Sequence, residues 1–108
     1  EELVEEARRR RVVLQVGHVE RFNPVWRATR DRWSTPRMIE ARREGSFSFR
    51  STDIGVVFDL MIHDVDLIAS LVGEPVVAVE AAGMNWLGKH EDEAYARLRF
   101  AGGCTAIV

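Results

Sequence analysis

The chain has one cysteine, Cys104, which rules out an internal disulfide and fits a reducing compartment. It opens on acidic residues, not on the basic-then-apolar pattern of a secretory signal, and no apolar run approaches the ~18 residues a membrane span requires. A cytoplasmic location is therefore expected, with no membrane partner. No G-x-G-x-x-G occurs anywhere, so there is no glycine-rich turn of the kind that lets backbone approach a pyrophosphate. Lysine is almost absent: Lys89 stands alone against fourteen arginines, a bias with no functional content. Nor is there an excess of positive charge. The formal net charge is −2, which argues against nucleic acid as the main partner. Arg8 to Arg11 form the only basic cluster, and Glu1, Glu2, Glu5 and Glu6 precede it in the charge order that a helix dipole favours. No repeat or low-complexity segment is present.

What is there is enough for an ordinary core, since 108 residues at 46% hydrophobic content lie toward the small end for a domain. The most informative stretch runs from Asp59 to Leu67, where ionisable side chains sit in an otherwise apolar helix. At about 100° per residue, Asp59, His63 and Asp66 share an arc of roughly 60°, and apolar residues cover most of the remainder. Such a helix is expected to be buried on nearly all sides. Burying carboxylates and an imidazole costs several kcal/mol unless they are paired, so the arrangement calls for a chemical reason. A carboxylate one turn before a histidine can orient the ring and raise its basicity, as a general base for alcohol oxidation requires. A helix-capping acid beside a satisfied core histidine is the competing reading. A metal site built from His63, Asp64 and Asp66, with His90, Glu91 and Asp92, is a further alternative, although that spacing matches no established metal motif. A third is an assembly module without catalytic activity.

Periodicity and punctuation predict the rest of the chain. Leu3, Val4 and Ala7 form the apolar stripe of a first helix, and Val12 to Val16 reads as a short buried strand. Asn23 is a plausible N-cap for a helix over Val25 to Trp33, with Pro24 at its preferred first-turn position. Met38 to Glu44 alternates like a half-buried strand, Phe47 to Phe49 repeats that period, and residues 51–55 form a loop. The central helix spans Val56 to Val72 and stops at Gly73. Pro75 to Ala82, Glu93 to Phe100 and Cys104 to Val108 read as three more strands, the last an apolar terminal strand that would leave an unpaired edge. Trp86, Tyr95, Leu98 and Phe100 are each read as core in preference to a subunit contact. Together these elements make an α+β fold.

Val16-Gly17-His18-Val19-Glu20-Arg21-Phe22-Asn23-Pro24 resembles the phrase that follows the nucleotide-binding domain in the glucose-fructose oxidoreductase / inositol dehydrogenase / MocA family. Asp59-x-x-x-His63 resembles the catalytic helix of the same family, in the same order and at a similar distance. The wording is most similar to the branch that includes UDP-N-acetylglucosamine 3-dehydrogenases. The resemblance implies an open, mainly antiparallel sheet with helices on one face, preceded by the last helix and strand of a truncated Rossmann domain: residues 1–17 as that remnant, and 18–108 as a substrate and oligomerisation domain. It also implies a sugar or nucleotide-sugar hydroxyl as substrate, NAD or NADP as cofactor in the full-length protein, and homo-oligomers formed through the sheet. His63 would be the base, Asp59 its orienting partner, and Arg21 and Asn23 would lie near substrate or cofactor, with a surface ion pair for Arg21 and a simple helix cap for Asn23 as the alternatives; Asp66, in the same vicinity, is expected to hold His63 or a neighbouring loop by hydrogen bonds. The family's Glu-Lys-Pro motif, whose lysine takes part in catalysis, is missing here. The expectation is thus a fragment that binds no cofactor and is inactive alone.

Overall fold

The computed structural model describes residues 1–46 and 53–108; the expected Phe47–Phe49 alternation and the first part of the 51–55 loop lie outside the described residues. Helix α1 covers Glu2–Arg10 and ends at Arg11 in the left-handed conformation. A 3₁₀ turn at Val19–Phe22 leads into α2, Pro24–Thr29. There the Asn23 side chain accepts a hydrogen bond of 3.0 Å from the Val25 amide, as its capping role predicts. The helix is shorter than its periodicity implied, because Arg30–Arg32 tightens into a second 3₁₀ turn. Thr29 Oγ1 donates back to the Val25 carbonyl at 2.8 Å, a bond that competes with the regular ladder at that point.

Four strands form one mixed sheet in the order β1-β4-β3-β2, with β1 at Met38–Glu40, β2 at Val76–Met84, β3 at Glu93–Phe100 and β4 at Thr105–Ile107. Two of the three pairings are antiparallel, while β1 and β4 run parallel. Strand β4 is therefore interior, paired on both sides, and not the free edge expected from its position in the chain. Among the described residues the outer strands are β1 and β2. Strand β1 is also shorter than the Met38–Glu44 alternation implied: one further bond, from the Ala41 amide to the Ile107 carbonyl, is the last before its partner strand ends.

Alternation along β3 decides which residues are core. Ala96, Leu98 and Phe100 face α3 (Ile62–Val72) and are buried, with Ala106 of β4 beside them and Ile68 and Val72 of the helix above. Leu98 and Phe100 are core as expected. Tyr95 and Trp86 are not: Tyr95 points to the opposite face and Trp86 sits in the β2–β3 connection, 53% and 71% exposed. The helix stops at Gly73, whose φ of 67° is the left-handed region that a side chain resists.

Two expectations fail for a common reason. The helical stretch is not buried on nearly all sides, since Phe58 is 70% exposed and burial is confined to Ile68 and Val72 against the sheet. Val12 to Val16 forms no strand, and Val13 is 92% exposed. A strand exists only where a neighbour takes its amides and carbonyls, and none lies beside this one among the described residues. The accessible surface is 8814 Å² for 12.3 kDa, against about 6,100 Å² for a closed globular monomer of that mass. Much apolar surface is left uncovered. No helix among the described residues is long and apolar enough to cross a membrane.

Candidate active site

The site is built on the helical stretch that begins beside Gly55. The Val56 amide donates to the Glu91 carbonyl at 2.8 Å, tying its start to the β2–β3 connection. Val57–Met61 is then a π turn, and regular α-helix resumes at Ile62. A π turn closes i to i+5, so it interrupts the register that places residues four apart on one line. The consequence falls on Asp59 and His63, one on each side of the junction. Asp59 is exposed, and His63 Nδ1 is enclosed without a hydrogen-bond partner among the described residues. The carboxylate–imidazole bond that the spacing predicted is not formed.

Asp66 is differently placed. Its side chain is only 9% exposed, and Arg21 grips both oxygens, Nε to Oδ2 at 2.7 Å and Nη2 to Oδ1 at 2.6 Å. The Nε2 of His18 lies 3.6 Å from Oδ1. The hydrogen bonds from Arg21 hold the Asp66 carboxyl below the usual carboxylate range; burial opposes this, and the charges of Arg21, His18 and His63 add to it. The same pairing raises the Arg21 guanidinium further. The short 3₁₀ turn that bears Arg21 is thereby fastened to α3.

A second clamp lies on the adjoining face. Arg43, just beyond β1, donates to both oxygens of Asp64 at 2.8 Å each, and its Nη1 stands 3.9 Å from Glu20. Asn23 donates to Glu20 at 3.1 Å while capping α2. Its visible work is to hold these two segments in place. Of the residues singled out by sequence, Arg21 and His63 both act on Asp66, Asn23 supports the turn, and Asp59 is exposed and makes no hydrogen bond to the ring. His18 and Arg43 were not singled out. His18 was at least legible as a histidine within the same charged turn as Arg21, whereas nothing local announced that Arg43 would meet Asp64.

A cleft of about 720 Å³ opens where β1, the start of the helical stretch and the β2–β3 connection meet, lined in part by Arg43, Leu60, Met61, Asp64, Trp86 and Tyr95. Asp64 borders it and His63 does not, so the cleft and the imidazole are separate features. The residues considered for a metal are not gathered: Asp64 and Asp66 are held by arginines, and Asp92 accepts the amides of Trp86 and Leu87 at 3.0 and 2.6 Å. Among the described residues, no three His, Cys, Asp or Glu side chains converge on a point where an ion could sit.

Residues 15–108 match the model of the GFO/IDH/MocA C-terminal domain. The chain is 38% identical over 105 residues to UDP-N-acetylglucosamine 3-dehydrogenase from Acidithiobacillus ferrooxidans, covering 96% of this chain and 34% of that protein. The crystal structure of that protein superposes with a TM-score of 0.84 over 97% of this chain and 34% of its own. A protein from Sinorhizobium meliloti assigned as a myo-inositol dehydrogenase superposes at 0.75 with 26% identity, over 96% of this chain and 36% of its own. A Thermotoga maritima protein assigned as a dehydrogenase shares the fold at 0.75 with 24% identity, over 98% and 36%. The chain spans about a third of the length of these relatives. With the charged turn, the helix it is clamped to and the mixed sheet all accounted for, the chain belongs to the GFO/IDH/MocA family and carries its C-terminal domain.

Proposed function

We propose that this chain is the substrate-side domain of a cytoplasmic oxidoreductase that oxidises a hydroxyl of a nucleotide sugar, with NAD or NADP as hydride acceptor in the parent protein. The observation that carries this reading is His63, an imidazole set one turn before an arginine-clamped carboxylate. The nucleotide-sugar part draws support from the 38% identical relative, named a UDP-N-acetylglucosamine 3-dehydrogenase.

The dinucleotide does not fit the residues described here. A pyrophosphate needs a glycine-rich turn and a helix N-terminus pointing at it. The first turn of α1 instead carries Glu2 and Glu5, whose charges repel phosphate, and no side chain caps it. The chemistry derived from this chain is therefore the proton half of the reaction. With Nδ1 enclosed, Nε2 is the nitrogen left to meet a substrate hydroxyl. Neutral His63 accepts the hydroxyl proton there, and the resulting imidazolium is stabilised by the nearby Asp66 carboxylate. Arg21 keeps that carboxylate ionised and in place.

In the full-length enzyme, His63→Ala should lower turnover by roughly 10²–10⁴, the ordinary worth of a general base. Asp59→Asn should cost less, because Asp59 is exposed and unbonded to the ring. Near-normal turnover by His63→Ala would sink the assignment. The uncovered surface, with Trp86, Leu87 and Tyr95 exposed, also supports a homo-oligomer.

A further inference from the structure

We propose that Asp66, clamped by Arg21 and flanked by His18, is a positioning residue that acts on His63 through space, setting the charge beside the imidazole while seating the 19–22 turn on α3. This rests on the reading of His63 as the base. His63 and Asp66 are three residues apart within the regular segment Ile62–Val72, where residues so spaced are neighbours on one face. Asp59, nominated for that role by spacing, lies within the π turn and is exposed. Asp66 is the carboxylate that shares the regular turn with the imidazole.

The charged and titratable groups packed around Asp66 are Arg21 and His18 from the neighbouring turn and His63 on its own helix, while Asp59 sits in the π turn before it. Arg43 is occupied by Asp64 on the adjoining face. Because the Asp66 side chain is 9% exposed, solvent screens its charge less than it would a surface group. Arg21 and Asp66 carry opposite charges and are hydrogen-bonded to each other. Removing one partner therefore leaves a net charge of known sign beside the base, and removing the other leaves the opposite sign.

That opposition supplies the test. In the full-length enzyme, Arg21→Gln leaves the carboxylate uncompensated, favours imidazolium and should move the acid limb of the kcat/KM profile to higher pH. Asp66→Asn leaves the guanidinium and should move the limb to lower pH. Each shift should be on the order of half a pH unit, below the 1–3 units a close unscreened partner produces, because Arg21 is half exposed. Arg21→Lys, which keeps the charge, should restore the limb. An NMR titration of the histidine-labelled enzyme, assigned with His63→Gln, reads the same shifts without turnover. If Asp66→Asn does not fold, Arg21→Gln and the titration decide alone. Lower activity with an unmoved limb, or shifts in the same direction, would reduce the pair to a structural tie and overturn the proposal. An acid limb and turnover that survive His63→Gln would instead remove the base assignment itself, a result distinct from either.

Discussion

Replacing Ile68 by alanine tests whether packing beneath α3 positions the site. Ile68 is 4% exposed and meets the sheet in a cluster with Val72, Leu98, Phe100, Cys104 and Ala106. The substitution deletes three carbons, worth about 2.4 kcal/mol in transfer free energy at about 0.8 kcal/mol per buried methylene. A cavity left unfilled would hold about 80 Å³, adding about 2 kcal/mol at roughly 24 cal/mol per Å³. Relaxation reduces the second figure here. Ile39, Ala41, Val65 and Val108 border the cluster and are only partly buried, so they can move in. The expected loss is about 3 kcal/mol, inside the roughly 2–5 range of such substitutions and a large share of the 5–15 kcal/mol a domain typically has. Guanidinium unfolding followed by far-UV circular dichroism should show the midpoint falling by about 1 M with the slope unchanged. Ile68→Val should lose only about 0.5–1.5 kcal/mol. A loss below about 1 kcal/mol for Ile68→Ala would mean that this contact does not hold the helix on the sheet.

Three further outcomes follow from the same geometry. Asp66 has a folded pKa depressed by Arg21, so its stabilisation is present above the unfolded value of about 4 and is lost as pH falls through the lower folded value. Acid unfolding should therefore be shallower in Asp66→Asn below about pH 4; an unchanged slope would show that the clamp is not linked to folding. Asn23→Ala should cost about 1 kcal/mol through loss of the bond from the Val25 amide, with Asn23→Asp close to wild type; equal melting temperatures for all three would refute the cap. Calorimetric titration of these 108 residues with NAD and NADP should give no micromolar binding, and light scattering should show an oligomer. Micromolar affinity, or a strictly monomeric species at high concentration, would contradict the respective expectation.

Local chemistry determined much of this protein before any tertiary contact. Asn23-Pro24 starts a helix, Gly73 stops one, and the alternation from Glu93 to Phe100 is a strand that sets Leu98 and Phe100 on one face, because caps, positive φ and the two-residue period all act within a few residues. The charged turn and the Asp59-x-x-x-His63 helix were likewise legible as side-chain types at set spacing. Tertiary structure decided what those side chains meet. A π turn breaks the register between Asp59 and His63, which share no hydrogen bond, and no spacing rule anticipates an extra residue in a helical turn. Arg21 found Asp66 across 45 residues and Arg43 found Asp64 across 21, pairings set only when the chain folds back on itself. The placement of β4 between β1 and β3 turned an apparent free edge into the centre of the sheet. Val12 to Val16, as apolar as any strand here, stays unpaired because a ladder needs two sides and the described residues supply one.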